Sequence, residues 1–301
     1  MEGCTRWAVN TTAWQPTNEQ WKAVLKCLPA DEQAKCLRYK QTEDKKRAVV
    51  SQLLQRACTL QVLGVAWQEV QLQRTRGSKP FYAGPANRQH VPNFNYNVSH
   101  EGDYVVLASE GRCLCGVDVA APQQLRRHGS SRTLHDSIAL LRDQLSAREW
   151  ALLQSLQGDE SAVESAFQSI WSCKEAFIKA RGDGVAFAPL SRIEAQLPNP
   201  AAAAQQGQQQ PVQAVRLLVD GQLQPRWRAF LQQLPNRHCV CVVRGPPEAA
   251  VDAFGVFTAT FQEPNLSDAQ LQEHLDAHSP AFDMLTVEDL LPDAAVDNYC
   301  S

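Results

Sequence analysis

Ten residues, Trp171-Ser172-Cys173-Lys174-Glu175-Ala176-Phe177-Ile178-Lys179-Ala180, constrain this chain more than any other stretch of it. Ile170, Cys173, Phe177 and Ala180 recur at helical spacing, which predicts a short amphipathic helix with those four against a core. Ser172, Glu175, Lys179 and Gly182 then fall on the opposite, exposed side. Glu175 and Lys179 are one turn apart, an acid and a base on one stripe. An ordinary surface ion pair would look the same, so this helix decides nothing by itself.

A second carboxylate changes the balance. Asp118 lies in Cys113-Leu114-Cys115-Gly116-Val117-Asp118-Val119, where alternating apolar residues and valines predict a strand. Gly116 permits close approach of another backbone or a ligand. Upstream, Tyr96-Asn97-Val98-Ser99-His100 leads through Glu101-Gly102-Asp103 into a further strand starting at Tyr104. Magnesium uses one or two protein carboxylates, with phosphate and waters completing its octahedron. Asp118 and Glu175 meet that requirement if the fold brings them together, which spacing does not establish.

Taken in order, Asn97-Val98-Ser99-His100, Gly116-Val117-Asp118 and the Trp171–Ala180 helix resemble the signature of Sfp-type 4′-phosphopantetheinyl transferases. The nearest likeness is to their eukaryotic aminoadipate-semialdehyde dehydrogenase branch. It extends through Arg6-Trp7-Ala8 and Leu72-Gln73-Arg74-Thr75-Arg76-Gly77-Ser78-Lys79-Pro80, and covers roughly residues 5–243. The resemblance implies an α+β fold of two similar subdomains related by a pseudo-twofold axis. Each would be a small, mostly antiparallel sheet packed with helices, with coenzyme A in the cleft between them. The implied reaction moves the 4′-phosphopantetheine arm of coenzyme A to a serine of an apo acyl or peptidyl carrier protein. It needs Mg2+ and releases adenosine 3′,5′-bisphosphate. Asp118 and Glu175 resemble the magnesium ligands, and Glu175 is also the candidate base for the serine. Lys179 resembles the lysine on a coenzyme A phosphate. Arg74, Arg76 and Lys79 lie in the stretch that holds the nucleotide phosphates, and Asn97, Ser99 and His100 in the second coenzyme A segment.

Two departures stand out. Bacterial relatives carry a second acid two residues after the aspartate, where this chain has Ala120. Eukaryotic relatives have a glutamine after the histidine, where this chain has Glu101. Glu101 is therefore a candidate third metal ligand or orienter of a metal-bound water, although a solvated turn glutamate fits equally. Lys35 replaces an arginine of the relatives, keeping the charge on a phosphate contact but losing the bidentate fork. Each remaining basic residue has a plain alternative. Arg74, Arg76 and Lys79 would also solubilise a turn built on Gly77, Ser78 and Pro80. Lys45, Lys46 and Arg47 read as the solvated face of a helix whose apolar side runs from Val49 to Ala57.

The last 54 residues, from Glu248, hold eleven acids and no Lys or Arg. Against a net charge of −3 for the chain, that leaves +8 on residues 1–247. A basic body favours acidic partners, and coenzyme A and an acidic carrier protein qualify. Nucleic acid is not expected, because no recognition motif appears and the charge forms no stripe. No apolar run approaches the ~18 residues of a membrane span. The ten cysteines include no CxxC, and Cys113/Cys115 and Cys239/Cys241 share strand faces, which predicts core thiols in a reducing, cytoplasmic setting. A monomer is expected, since two halves already form a cleft. A non-catalytic coenzyme A or carrier-binding module is the rival class, but it has no reason to keep Asp118, Glu175 and Lys179 together.

Periodicity predicts a strand over 5–14, helices over 18–28, 30–39 and 43–63, and strands near 67–74, 80–83, 93–98, 103–110 and 113–119. A surface loop follows at 122–136. Ser146-Ala147-Arg148-Glu149 is a capping box that starts a helix. Strands follow near 190–197, 213–219, 225–232 and 238–244, interrupted by an Ala/Gln/Pro insertion from Pro198 to Pro211. The expected division is an N-terminal subdomain at 1–115, a metal-binding C-terminal subdomain at 116–247, and a partly disordered acidic tail at 248–301. A tail folded over the basic cleft, competing with carrier protein, is the alternative.

Overall fold

The structure, a computed structural model, describes residues 2–125, 132–197 and 212–300. The insertion at 198–211 and residues 126–131 of the basic loop lie outside the described residues. The chain opens with β1 (Thr5–Asn10), helices α1 (Asn18–Lys26), α2 (Ala30–Leu37) and α3 (Thr42–Leu63), and a short hairpin of β2 (Leu72–Arg74) and β3 (Pro80–Tyr82). A longer hairpin, β4 (Asn95–Glu101) and β5 (Tyr104–Glu110), turns at Gly102, whose φ of +55° suits glycine. The second half contains β6 (Leu114–Ala120), α4 (Leu134–Ala139), α5 (Ala147–Ser155), α6 (Glu160–Arg181), β7 (Ile193–Gln196), β8 (Gln213–Val219), β9 (Gln222–Leu223), β10 (Arg228–Leu234) and β11 (His238–Gly245). Helix α7 (Asp268–Asp276), β12 (Asp283–Leu285) and α8 (Asp293–Cys300) follow.

Antiparallel pairing builds a first sheet in the order β1–β5–β4 and a second in the order β6–β11–β10–β8–β7. The chain passes from one to the other between Glu110 and Leu114. Strand alternation sorts the side chains into layers. Trp7, Val9, Val105 and Leu107 pack with Val49, Val50, Leu53 and Leu54 of α3. Their neighbours Ala8, Tyr104 and Val106 meet Cys115, Val117, Val119, Val240 and Val242 of the second sheet. Leu114, Cys239, Cys241 and Val243 point the other way, onto Cys173, Ala176, Phe177 and Ala180 of α6. The order is helix, sheet, sheet, helix. Both covering helices have 22 residues and end at a left-handed glycine, Gly64 and Gly182. This is the two-half α+β plan that the sequence implies. The four strand cysteines are buried and free, as core packing predicts.

The tail is folded, which corrects the expectation of partial disorder. Phe257 and Phe261 enter the α6 core. Leu271 and Leu275 pack on Cys113. Strand β12 then adds in parallel beside β1, and Val287, Leu290, Leu291 and Tyr299 complete the α3 core. The Trp14 indole donates to the Tyr299 hydroxyl at 3.1 Å. Acids along this path meet cations of the body: Glu248 pairs with Arg226, Glu263 with Arg112 and Asp276 with Arg228. Part of the body's positive charge is therefore answered within the chain. No helix among the described residues is long and apolar enough to cross a membrane.

Candidate active site

Helix α6 is longer than its ten-residue motif suggests, because Asp159 caps it a dozen residues earlier, accepting from the amides of Ser161 and Ala162. Its position is set by Gly116. A Cβ there would lie 2.1 Å from the carbonyl oxygen of Ala176 and 2.3 Å from the amide nitrogen of Ala180. The helix backbone thus rests directly on β6. Asp118, two residues on and on the same face, comes up beside Glu175 and Lys179.

Asp118 is 5% exposed. Its Oδ1 accepts from Ser99 Oγ at 3.0 Å and from Lys179 Nζ at 2.6 Å, and the same ammonium donates to Ser99 Oγ at 2.9 Å. Glu175 is half-buried, and burial raises its pKa first. The neighbouring Asp118 carboxylate raises it further, and Lys179 offsets part of the rise. Two acids are thus held where each resists the other's charge. A dication relieves that repulsion. Among the described residues no third His, Cys, Asp or Glu joins them, and magnesium beside a diphosphate needs only one or two. As a donor set the two carboxylates would therefore fit a magnesium ion.

Strand β4 has a structural task of its own. β4 and β6 are edge strands of different sheets, and side chains join them where backbone pairing does not. Asn95 accepts from Cys115 N at 2.8 Å and donates to Cys113 O at 2.8 Å, and Asn97 accepts from Val117 N at 3.2 Å. Ser99 continues the row onto Asp118. Alternation leaves Glu101 on this side of β4 too, exposed at the strand end and outside any three-residue metal cluster. His100 is exposed at the strand end, and desolvation of its ring by neighbouring groups, with the Arg47 and Lys179 charges, holds it below its ordinary pKa.

A cleft of about 420 Å³ opens beside Glu175 and Lys179. Arg74, Ser78, Lys79 and Asn97 line it from the first half, and Glu175, Lys179, Gly182 and Phe187 from the second. Arg74 is exposed there and donates to Ser78 O. Arg76 is exposed and does not line the cleft, and Lys35 is likewise absent from its walls, pairing on the surface with Asp31 at 2.8 Å. The ammonium of Lys79 turns away from solvent onto backbone carbonyls.

Two expectations about exposed faces need correction. Ser172 is fully buried, not on an exposed stripe, because it lies in line with Ser169, Ala176 and Ala180 on the side of α6 that rests on β6 and β11. Lys174 beside it is buried as well, bonded to Glu149 Oε2 at 2.6 Å and to the carbonyls of Gln144, Leu190 and Ile193. Nor are Lys46 and Arg47 a solvated face. Lys46 is 4% exposed, and Arg47 forks its Nε and Nη2 onto Gly102 O at 3.1 and 2.8 Å, fastening the turn that follows His100. The sequence signal for that fastening was only the spacing of a cation from a turn glycine, which is too weak to use.

Comparison with known proteins bears on this arrangement. Residues 12–112 match the family model described as 4′-phosphopantetheinyl transferase, N-terminal, and residues 114–243 match that of the 4′-phosphopantetheinyl transferase superfamily. The L-aminoadipate-semialdehyde dehydrogenase-phosphopantetheinyl transferase of Xenopus laevis is 34% identical over 192 residues, 64% of this chain and 61% of its own length. The Homo sapiens protein of that name is 28% identical over 250 residues, 83% of this chain and 77% of its own length. A 4′-phosphopantetheinyl transferase of Bacillus subtilis is 24% identical over 174 residues, 58% of this chain and 68% of its own length.

Proposed function

Since the chain belongs to the 4′-phosphopantetheinyl transferase superfamily, we propose that it transfers phosphopantetheine from coenzyme A to a serine of an apo acyl or peptidyl carrier protein. The convergence of Asp118 with Glu175 and Lys179, the last two lining a cleft walled by both halves, carries this reading. Asp118 and Glu175 would hold Mg2+, which when bound neutralises the diphosphate and its leaving group.

The chain's own groups do the rest. The ammonium of Lys179 stands beside the acids, where phosphate charge would gather, and Arg74 supplies a second cation at the mouth. Glu175 takes the proton of the serine hydroxyl as its oxygen bonds to the phosphorus that carries the pantetheine arm. The bond from that phosphorus to the bridging oxygen breaks, and adenosine 3′,5′-bisphosphate leaves. Glu101, exposed at the end of the Ser99 row, would assist in holding the ion, directly or as an orienting acceptor. Free cysteines and the pairing of the two halves within one chain support a cytoplasmic monomer.

The test incubates protein, coenzyme A, Mg2+ and an apo carrier protein, with mass spectrometry reading addition of phosphopantetheine. Asp118→Ala and Glu175→Ala should each reduce transfer by several orders of magnitude. Near-native transfer by either variant overturns that residue's role. No modification of any carrier by the wild-type chain overturns the activity.

A further inference from the structure

Lys79 lies in the turn between β2 and β3, in a stretch whose other cations are exposed. Its own ammonium is not. The residue is 2% exposed, and its Nζ donates to Cys115 O on β6 and, at 3.2 Å, to Lys179 O on α6. Among the described residues no carboxylate pairs with it. The ring of Phe257, from the tail, closes over it with its centroid 5.7 Å from Nζ, and Phe257 is itself fully buried. The stem runs past Gly182, where a Cβ would come within 3.7 Å of Lys79 Cδ. The turn is rigid: Thr75 N donates to Lys79 O, Lys79 N donates to Thr75 Oγ1, and Ser78 N donates to Thr75 O.

The two carbonyls that Lys79 grips belong to the segments bearing the acidic pair. Cys115 is three residues before Asp118, and Lys179 is the residue whose side chain meets Asp118. We propose that Lys79 is a positioning residue. It fastens β6 to the C-terminal turn of α6 from the opposite half, and so sets the spacing of Asp118 from Glu175 and Lys179, instead of contacting a phosphate of coenzyme A. A buried ammonium without a counter-ion is costly, and persists where its hydrogen bonds are supplied by fixed carbonyls. Three of the chain's parts meet at this one side chain: the first half through its turn, the second through β6 and α6, and the tail through Phe257.

This inference rests on the transferase reading, and its test separates the two. Lys79→Met keeps the length of the stem and removes the donors. Transfer by this variant should show kcat at least tenfold lower and a several-fold higher Mg2+ concentration for half-maximal rate, with KM for coenzyme A within twofold of wild type. Calorimetric binding of adenosine 3′,5′-bisphosphate, which needs no turnover, should also stay within twofold, whereas Arg74→Ala should weaken it. If Lys79→Met does not fold, Lys79→Gln, which retains one donor, carries the same measurements with a smaller loss of kcat. A tenfold rise in KM and in the bisphosphate Kd, with kcat retained, would make Lys79 a phosphate ligand and refute the positioning role. An unchanged kcat would refute it too. A wild-type chain that transfers nothing defeats the activity, while the bisphosphate comparison still decides the place of Lys79.

Discussion

Gly116→Ala isolates the contact on which the site geometry rests. The added Cβ would stand 2.1 Å from Ala176 O, 2.3 Å from Ala180 N and 2.7 Å from Ala180 Cα. All three are helix backbone atoms, so no side chain can swing aside. Restoring an ordinary 3.4 Å contact requires α6 to retreat from β6 by about 1.3 Å. Lys179 Nζ sits 2.6 Å from Asp118 and 2.9 Å from Ser99, and a retreat of that size takes both contacts beyond hydrogen-bonding distance. Overpacking of this kind costs about 1–3 kcal/mol in stability. A misplacement of ~1 Å at reacting groups costs about a hundredfold in rate. The variant should therefore remain folded, melt several degrees lower, and transfer phosphopantetheine about a hundredfold more slowly. Gly158→Ala is the control, since nothing lies within 4 Å of its Cβ position. Melting curves and turnover rates for the two variants decide the matter. A Gly116→Ala protein with wild-type kcat refutes the claim that backbone contact at this glycine places the acids.

Other consequences concern charge and the tail. In the metal-free protein Glu175 should titrate above an ordinary glutamate, and Asp118→Asn should bring it down while burial keeps part of the rise; carboxyl NMR reads both. Because Mg2+ needs the carboxylate form, its affinity should increase as pH rises through the Glu175 pKa, and a flat calorimetric profile would contradict this. Glu149→Gln leaves Lys174 buried without its counter-ion and should destabilise the fold by about 3–5 kcal/mol, detectable by denaturant titration. Deleting residues 283–300 uncovers Trp7, Trp14 and the α3 core. Val287, Leu290, Leu291 and Tyr299 contribute about 1.5–3 kcal/mol each, which approaches the whole stability of a domain. The shortened chain should melt far lower or fail to fold. A native melting temperature would show that the tail is dispensable, and tighter carrier binding would revive the competing-tail alternative.

Much of this protein was legible locally. The helix carrying Glu175 and Lys179 announces itself through Ile170, Cys173, Phe177 and Ala180, and the strand carrying Asp118 through its alternation, because both patterns follow from backbone geometry within a dozen residues. The likeness of the ordered motifs to a transferase family was visible at the same level. Lys79 and Arg76, three residues apart in one basic stretch, show where such reasoning stops. Their charges look alike in sequence, yet one is buried on carbonyls and the other stands in solvent. Lys174 and Lys179, five apart on one helix, divide differently, the first buried on Glu149 and backbone carbonyls and the second held by Asp118 at the edge of the cleft. The tail inverts the lesson, since eleven acids suggest disorder until partners such as Arg226, Arg228 and Arg112 and the apolar face of β1 are known.

Local pattern therefore determined most elements of the two halves, their order and the identity of the acids and cations that chemistry would use. Tertiary structure alone decided which of those charges meet. That choice depends on contacts between residues some 60 to 280 positions apart, such as Lys179 with Asp118 or Trp14 with Tyr299. Desolvation and pairing energies arise only when such distant groups are brought together, and no periodicity in the chain encodes them.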